Sequence, residues 1–181
     1  EFSDFDVVLV NDGLEELDAK LAKFFLEAEI YEGVGRVADN RRRLIKAVLE
    51  AGYERIIFTD CDDFYPPQRF RLTIELLDEW DVLVNDLDLV SETGGIIETN
   101  YLSKRLSDNQ TITSQNLIHS NMMGLTNTAV RREVLAPQIQ FLRGDLTIFD
   151  WYLWSYVLQS ESRVGFTSQT SSRYRIYDDN L

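Results

Sequence analysis

Apolar and polar residues follow one another along the chain in blocks of two different periods. DVVLV (6–10) is a short, β-branched apolar run that closes on Asn11-Asp12-Gly13, a turn composition, and predicts a strand. Leu14, Leu17, Leu21, Phe24, Phe25 and Ala28 then recur at helical spacing, and AEIYEG (28–33) predicts a short strand. In RVADNRRRLIKAVLEAG, Leu44, Ala47, Val48 and Ala51 share one helix face, with Gly52 as the stop. RIIFTD (55–60) predicts a buried strand, Pro67 the first turn of a helix running to about Glu79, and DVLVNDLDLV (81–90) a further strand before a turn at TGG (93–95). NLIHSNMMGL (116–125) is expected to be a strand, followed by a helix carrying Val130, Val134 and Leu135. IFDWYLWSYVL (148–158) predicts an aromatic-rich helix and VGFTS (164–168) a late strand.

Strands alternating with helices predict an α/β sandwich, a mostly parallel central sheet flanked by helices. No repeat or Pro/Gly/Ser-rich linker divides residues 1–181, so one domain is expected. In such folds ligands bind beyond the carboxyl ends of the strands, and Asp12 and Asp60 both stand at such ends.

Composition narrows the function. With 44% apolar residues, the body of the chain has the means to fold. One cysteine, Cys61, leaves no internal disulfide and fits a reducing, cytoplasmic setting. No apolar run reaches membrane-spanning length. The opening Glu1-Phe2, without a methionine, reads as a trimmed chain, so attachment at the cytoplasmic face of a membrane through flanking segments stays open. The net charge of −13 argues against nucleic acid as a partner, since that requires a basic footprint. A nucleotide would need a local cation, either a bound metal or a few placed arginines.

The chemistry concentrates in IIFTDCDDFYPPQRF (56–70), where Asp60, Asp62 and Asp63 follow an apolar strand. On extended backbone, Asp60 and Asp62 would face one side and Cys61 the other, buried one. Crowded carboxylates repel, and a divalent cation removes that conflict; oxygen ligands suit Mg2+ or Mn2+. The bland alternative is an ordinary acidic turn. Asp150 opens the aromatic helix, either as a catalytic carboxylate or merely as a charge at a helix N-terminus, with Trp151 and Trp154 as a sugar-stacking wall or as core. His119 and the pair Asp86 and Asp88 read as structural, the latter marking a strand end, and Arg41-Arg42-Arg43 as a mainly solvated face.

RRLIKAVLEAGYERIIFTDCDDFYPPQRF resembles the nucleotide-sugar-binding half of family-2-like glycosyltransferases with the GT-A fold. VLVNDG (8–13) is similar to their D-D-G strand, GVGRVADN (33–40) to their G…N segment, and DVLVNDLDLVSETGGII (81–97) to the strand and turn after the metal motif. HSNMMGLTNTAVRREVL (119–135), FDWYLWSYVL (149–158) and SSRYRIYDDN (171–180) resemble the acceptor-side strand, the E-D-x-x-L-W helix and the terminal Y-R segment. The resemblance implies a nucleotide-sugar-binding half over 1–90 and an acceptor-side half over 91–181. It implies that Asp12 binds the base, Asp60 the ribose or the metal, and Asp62 the metal, with Arg36 and Asn40 near the nucleotide and Asp150 as general base. The implied cofactor is Mn2+ or Mg2+, the donor a nucleoside-diphosphate sugar such as a UDP-sugar, and the acceptor a glycan or lipid-linked hydroxyl in bacterial polysaccharide biosynthesis, transferred with inversion.

The chain departs from that pattern in four places. The family's first strand is expected ahead of the D-D-G strand and is lacking here; Phe149 replaces a glutamate, Asp39 an arginine, and Tyr177 falls near a metal-binding histidine. Two alternatives remain: a non-catalytic sugar-nucleotide or glycan-binding module of the same fold, and a haloacid-dehalogenase-like phosphatase. The latter's D-x-D signature continues with Thr or Val where Phe64 stands here.

Overall fold

The computed structural model describes residues 5–22 and 28–177. Strand β1 (Val8–Asn11) pairs in parallel with β2 (Glu29–Glu32), and between them runs α1 (Leu17–Ala22). Phe24 and Phe25, expected on the same helix, lie outside the described residues. Helix α2 (Val37–Glu50) buries Ala38, Ile45, Val48 and Leu49. It ends in a Schellman turn: the Tyr53 N–H donates to the Val48 carbonyl, the Gly52 N–H to that of Leu49, and Gly52 takes φ +86°.

The larger sheet contains β3 (Arg55–Ile57), β4 (Val82–Ser91), β5 (Ile96–Glu98), β6 (Thr128–Arg131) and β7 (Val164–Ile176). β4 lies between β6 and β7, with β3 beyond β6 and β5 folded back on the end of β4. β3, β4 and β7 point the same way, as the alternation predicts, whereas β6 and β5 run against them. Val82, Leu83 and Val84 are all buried because both faces of β4 are covered, which explains a continuous apolar run rather than an alternating one. On one side Val82 and Val84 join Val164, Phe166, Phe149 and Trp154. On the other, Leu83 meets Leu77 and Ala129 beneath α3 (Gln68–Leu76).

Two expectations are corrected. Residues 116–125 form no strand: α4 (Ser114–Leu117), closed by a Thr113–Asn116 capping box, leads through irregular backbone to a 3-10 turn over Leu125–Asn127. The strand is β6, and it carries Val130, while the helix that follows is the short α5 (Arg132–Leu135). Leu117, Met122, Met123 and Leu125 do reach the core, but from loops whose polar groups are met by side chains, such as the Asn127 amide donating to the Asn85 and Met122 carbonyls. The late strand is also longer than expected. A bulge at 168–170 shifts its register on β4, and β7 resumes with Ser171–Ile176 beside Asp86–Ser91.

Candidate functional site

Three segments come together beyond the carboxyl end of β3: the acidic loop after β3, the start of α6 (Phe149–Val157) and the second half of β7, with Arg41 of α2 facing the loop; the turn after β1 lies beside Gly33 and Asn40 at the start of α2. Asp12 follows β1 and is exposed. A Cβ on Gly33 would stand 2.9 Å from the Asn11 carbonyl oxygen and 2.7 Å from Asp12 Oδ1, so a glycine is required where β2 leaves β1. Asn40 is buried, and its Oδ1 accepts the Val34 N–H at 2.7 Å, which fixes the glycine-flanked turn before α2. Arg36 is exposed at the N-terminal end of α2. Asp39 presses against Gly144, leaving no room there for a side chain, so the loop leading to α6 packs directly on α2.

The acidic loop is a turn rather than extended backbone, its Asp63 N–H donating to the Asp60 carbonyl at 3.3 Å. Asp60 and Asp62 therefore do not alternate with a buried Cys61; the cysteine is exposed. Asp60 Oδ1 lies 3.5 Å from Arg41 Nη2. Burial pushes the Asp60 carboxyl above its ordinary range; Arg41 pulls it back, and the charges of Asp62 and Asp150 push it further up. Asp62 is exposed, and among the described residues no hydrogen bond or ion pair engages its carboxylate.

Asp150 sits in the first turn of α6. Its Oδ1 accepts the Trp151 N–H at 2.9 Å, while Oδ2 faces Gly124, 3.6 Å from where a Cβ on that glycine would stand. Trp154 is fully buried against Phe58, so it belongs to the core and forms no sugar-stacking wall; Trp151 is half-buried against the same core. His119 is exposed in a loop. Asp86 and Asp88 lie within β4, Asp86 accepting the Leu102 N–H and the Ser103 hydroxyl and Asp88 the Asn100 N–H, which holds the 100–103 turn against the strand.

Two participants, Tyr174 and Tyr65, were missed in the sequence. Of the run Arg41-Arg42-Arg43, in which at most one or two members were expected to face a ligand, Arg41 is the one that faces Asp60. Tyr174 stands near these carboxylates, its phenol pushed up by burial and by the charges of Asp63, Asp60, Asp150 and Asp62. The Tyr65 oxygen accepts the Asp60 N–H at 2.8 Å, and the Asp60 carbonyl lies 3.1 Å from it. The only advance signal was the helical position of Arg41, one turn from Val37, and the Y-R segment containing Tyr174.

Among the described residues no group of three or more His, Cys, Asp or Glu is placed to hold a metal by itself. The exposed Asp62 carboxylate, with Asp60 two residues away, nonetheless fits a hard cation of the Mg2+ type, which takes one or two carboxylates and completes its shell with water and phosphate oxygens.

No protein-family model matches the sequence, and no curated protein sequence does. Solved structures do. TarS 1–349 of S. aureus superimposes at a TM-score of 0.69 with 18% identity, over 95% of this chain and 51% of that one. The fold is GT-A-like. The UDP complex of TarS 1–349 gives 0.67 at 16% identity, over 98% and 53% of the two chains. GalNAc-T7 with UDP, GalNAc and Mn2+ gives 0.65 at 12%, over 94% and 38%. A 4-diphosphocytidyl-2C-methyl-D-erythritol synthase from Anaerococcus prevotii gives 0.58 at 14%, over 93% and 70%. The chain thus spans about half the length of the TarS chains. Among the described residues no helix is long and apolar enough to cross a membrane.

Proposed function

We propose that this chain is a glycosyltransferase domain that uses a divalent cation to move a sugar from a nucleoside-diphosphate sugar, a UDP-sugar, to a hydroxyl of a glycan or lipid-linked acceptor, with inversion. The observation that carries the reading is convergence. Asp60 and Asp150, ninety positions apart, fall within electrostatic reach of each other, together with Asp62 and Arg41, beyond the end of β3 in a GT-A-like fold. UDP in the TarS and GalNAc-T7 structures, and Mn2+ in the latter, support the choice of donor and cation.

Each side chain then has a task. Residues 1–90 supply the nucleotide side: Asp12 meets the base, and Asn40 keeps the adjoining turn in shape, with Arg36 exposed nearby. Asp62 and Asp60 would hold Mn2+ or Mg2+, and the cation would supply positive charge to a diphosphate leaving group. Arg41, 3.5 Å away, favours the ionised form of Asp60 against the effect of burial. Residues 91–181 supply the acceptor side, where Asp150 takes the acceptor hydroxyl's proton at Oδ2, the oxygen not occupied by the Trp151 N–H. Such general-base assistance contributes about 10²–10⁴-fold.

Calorimetric titration of UDP with and without Mn2+ tests the reading. Mn2+-dependent binding that disappears in Asp62→Ala is expected. Binding without sugar transfer from any UDP-sugar tried would favour the non-catalytic module, and no binding of UDP or other nucleotides would overturn both.

A further inference from the structure

The third carboxylate of the loop, Asp63, has a different environment from the two before it. It is 9% exposed, and both of its oxygens are taken by protein donors. Oδ1 accepts the Arg175 N–H at 2.7 Å, and Oδ2 accepts the Thr126 hydroxyl. Each oxygen is thus engaged by a protein donor, unlike those of Asp62.

The hydrogen bonds around Asp63 run in one direction. An ionised carboxylate only accepts, so Thr126 spends its single hydroxyl proton on Asp63. Its oxygen is then the acceptor for the Tyr65 hydroxyl, 2.9 Å away, a shorter contact than the Asp60 carbonyl at 3.1 Å. The Tyr65 oxygen accepts in turn the Asp60 N–H at 2.8 Å. A chain of bonds therefore leads from the main chain of Asp60, through Tyr65 and Thr126, to Asp63. The far end is fastened as well: the Thr126 carbonyl accepts from Arg69 Nη2 at 3.1 Å and from the Ser172 hydroxyl at 2.8 Å.

Arg175 closes the arrangement from β7. Its Nε donates to the Asp62 carbonyl at 2.9 Å and its Nη1 to the Glu92 carbonyl at 2.5 Å, while the guanidinium covers the Phe64 ring at 4.8 Å. Two residues earlier, Arg173 and Phe64 exchange both main-chain hydrogen bonds, at 2.8 and 3.2 Å. The main chains of Asp60 and Asp62 are thus held from two sides while the Asp62 carboxylate stays clear.

We propose that Asp63, through Thr126 and Tyr65, and Arg175, through the Asp62 carbonyl, are positioning residues that hold the Asp60–Asp62 turn in the shape that binds cation and nucleotide. The idea rests on the functional reading above, but the restraint itself is measurable without any ligand. Thr126→Val removes the link at nearly constant volume, Thr126→Ser retains it, and Arg175→Ala cuts the second hold while leaving the main-chain bond to Asp63.

The experiment combines amide hydrogen exchange at Asp60 in the ligand-free chain with calorimetric titration of Mn2+ and of UDP with Mn2+. Thr126→Val is expected to speed Asp60 exchange by about tenfold, the factor that corresponds to one hydrogen bond of ordinary net strength, and to weaken Mn2+ binding similarly. Thr126→Ser is expected to restore both, which a general loss of stability would not do. Should Thr126→Val not fold, Arg175→Ala carries the same readings, with weakened Mn2+ binding and faster exchange at Asp63. Exchange unchanged in both variants, or unchanged Mn2+ affinity where the parent chain binds it, would overturn the proposal. A parent chain that binds neither Mn2+ nor UDP would defeat the functional reading instead, and the exchange rates alone would then decide whether the restraint exists.

Discussion

Asp60 and Asp150 carry the sharpest consequences at the level of single residues. If Asp150 is the base, Asp150→Asn keeps its size but cannot take a proton, so sugar transfer should fall about 10²–10⁴-fold. UDP affinity should stay within about twofold, because the loss is confined to the proton-transfer step. Asp60 gives a pH test. Its carboxyl is raised by burial and by Asp62 and Asp150 against the pull of Arg41, so it holds its proton to a higher pH than in the unfolded chain. A cation needs the ionised form, so Mn2+ affinity should decline as pH falls, beginning above the ordinary aspartate value of about 3.9. On folding the same shift acts oppositely: stability is greatest below the unfolded pKa and is lost as pH rises through the folded one. Asp60→Asn should therefore melt no lower than the parent at neutral pH without metal, and a clear drop in its melting temperature would contradict the assigned direction.

At the level of elements, Arg69 on α3 joins pieces that the chain keeps far apart. It is fully buried, with Nε on Asn85 Oδ1 at 2.9 Å in β4 and Nη2 at 3.1 Å from the carbonyls of Phe58 after β3 and Thr126 before β6. The Tyr65 ring lies 4.7 Å from its guanidinium. Burial lowers its pKa to about 10, so it remains charged near neutrality. Removing this donor leaves its buried acceptors unpaired, at about 1–3 kcal/mol for each. Arg69→Met, which preserves the stem, is expected to lower the unfolding free energy measured in urea by at least that much; a change under about 1 kcal/mol would show that the neighbouring carbonyls find other donors. α2 and the apolar core of β4 were legible as elements because their signal is local: an apolar face at 3.6-residue spacing, and an unbroken β-branched run. β6 was misplaced because its four residues are selected by register against β3 and β4, with Val130 opposite both Ile56 and Val82. No periodicity within residues 116–131 announces that choice.

For the whole molecule, β1 and β2 form a sheet of their own while β3, β4 and β7 belong to the larger one, and Arg41 of α2 meets Asp60 of the loop after β3. On the proposed function, a ligand held by Asp12 and by Asp60 and Asp62 would draw on both sheets and should stabilise the chain as a unit. At a concentration 100 times its dissociation constant it adds about 2.7 kcal/mol, or roughly 5–10 °C in melting temperature for a domain of this size. UDP and Mn2+ together are expected to produce such a shift in a thermal melt, and UDP alone far less. Equal shifts with and without the metal would show that the nucleotide does not depend on the cation.

The sequence by itself determined the α/β class, the strand-end positions of Asp12 and Asp60, and the order of segments that resembles GT-A glycosyltransferases. Each of these depends on residues close together in the chain. Only the tertiary structure decided which acidic groups lie near one another, that Arg41 faces Asp60, that Trp154 is core, and that Asp63 is fastened to Thr126 and Arg175. Three aspartates within four positions look alike in one dimension. Burial and partners brought from 63 and 112 residues away make one of them an anchor and leave its neighbour free.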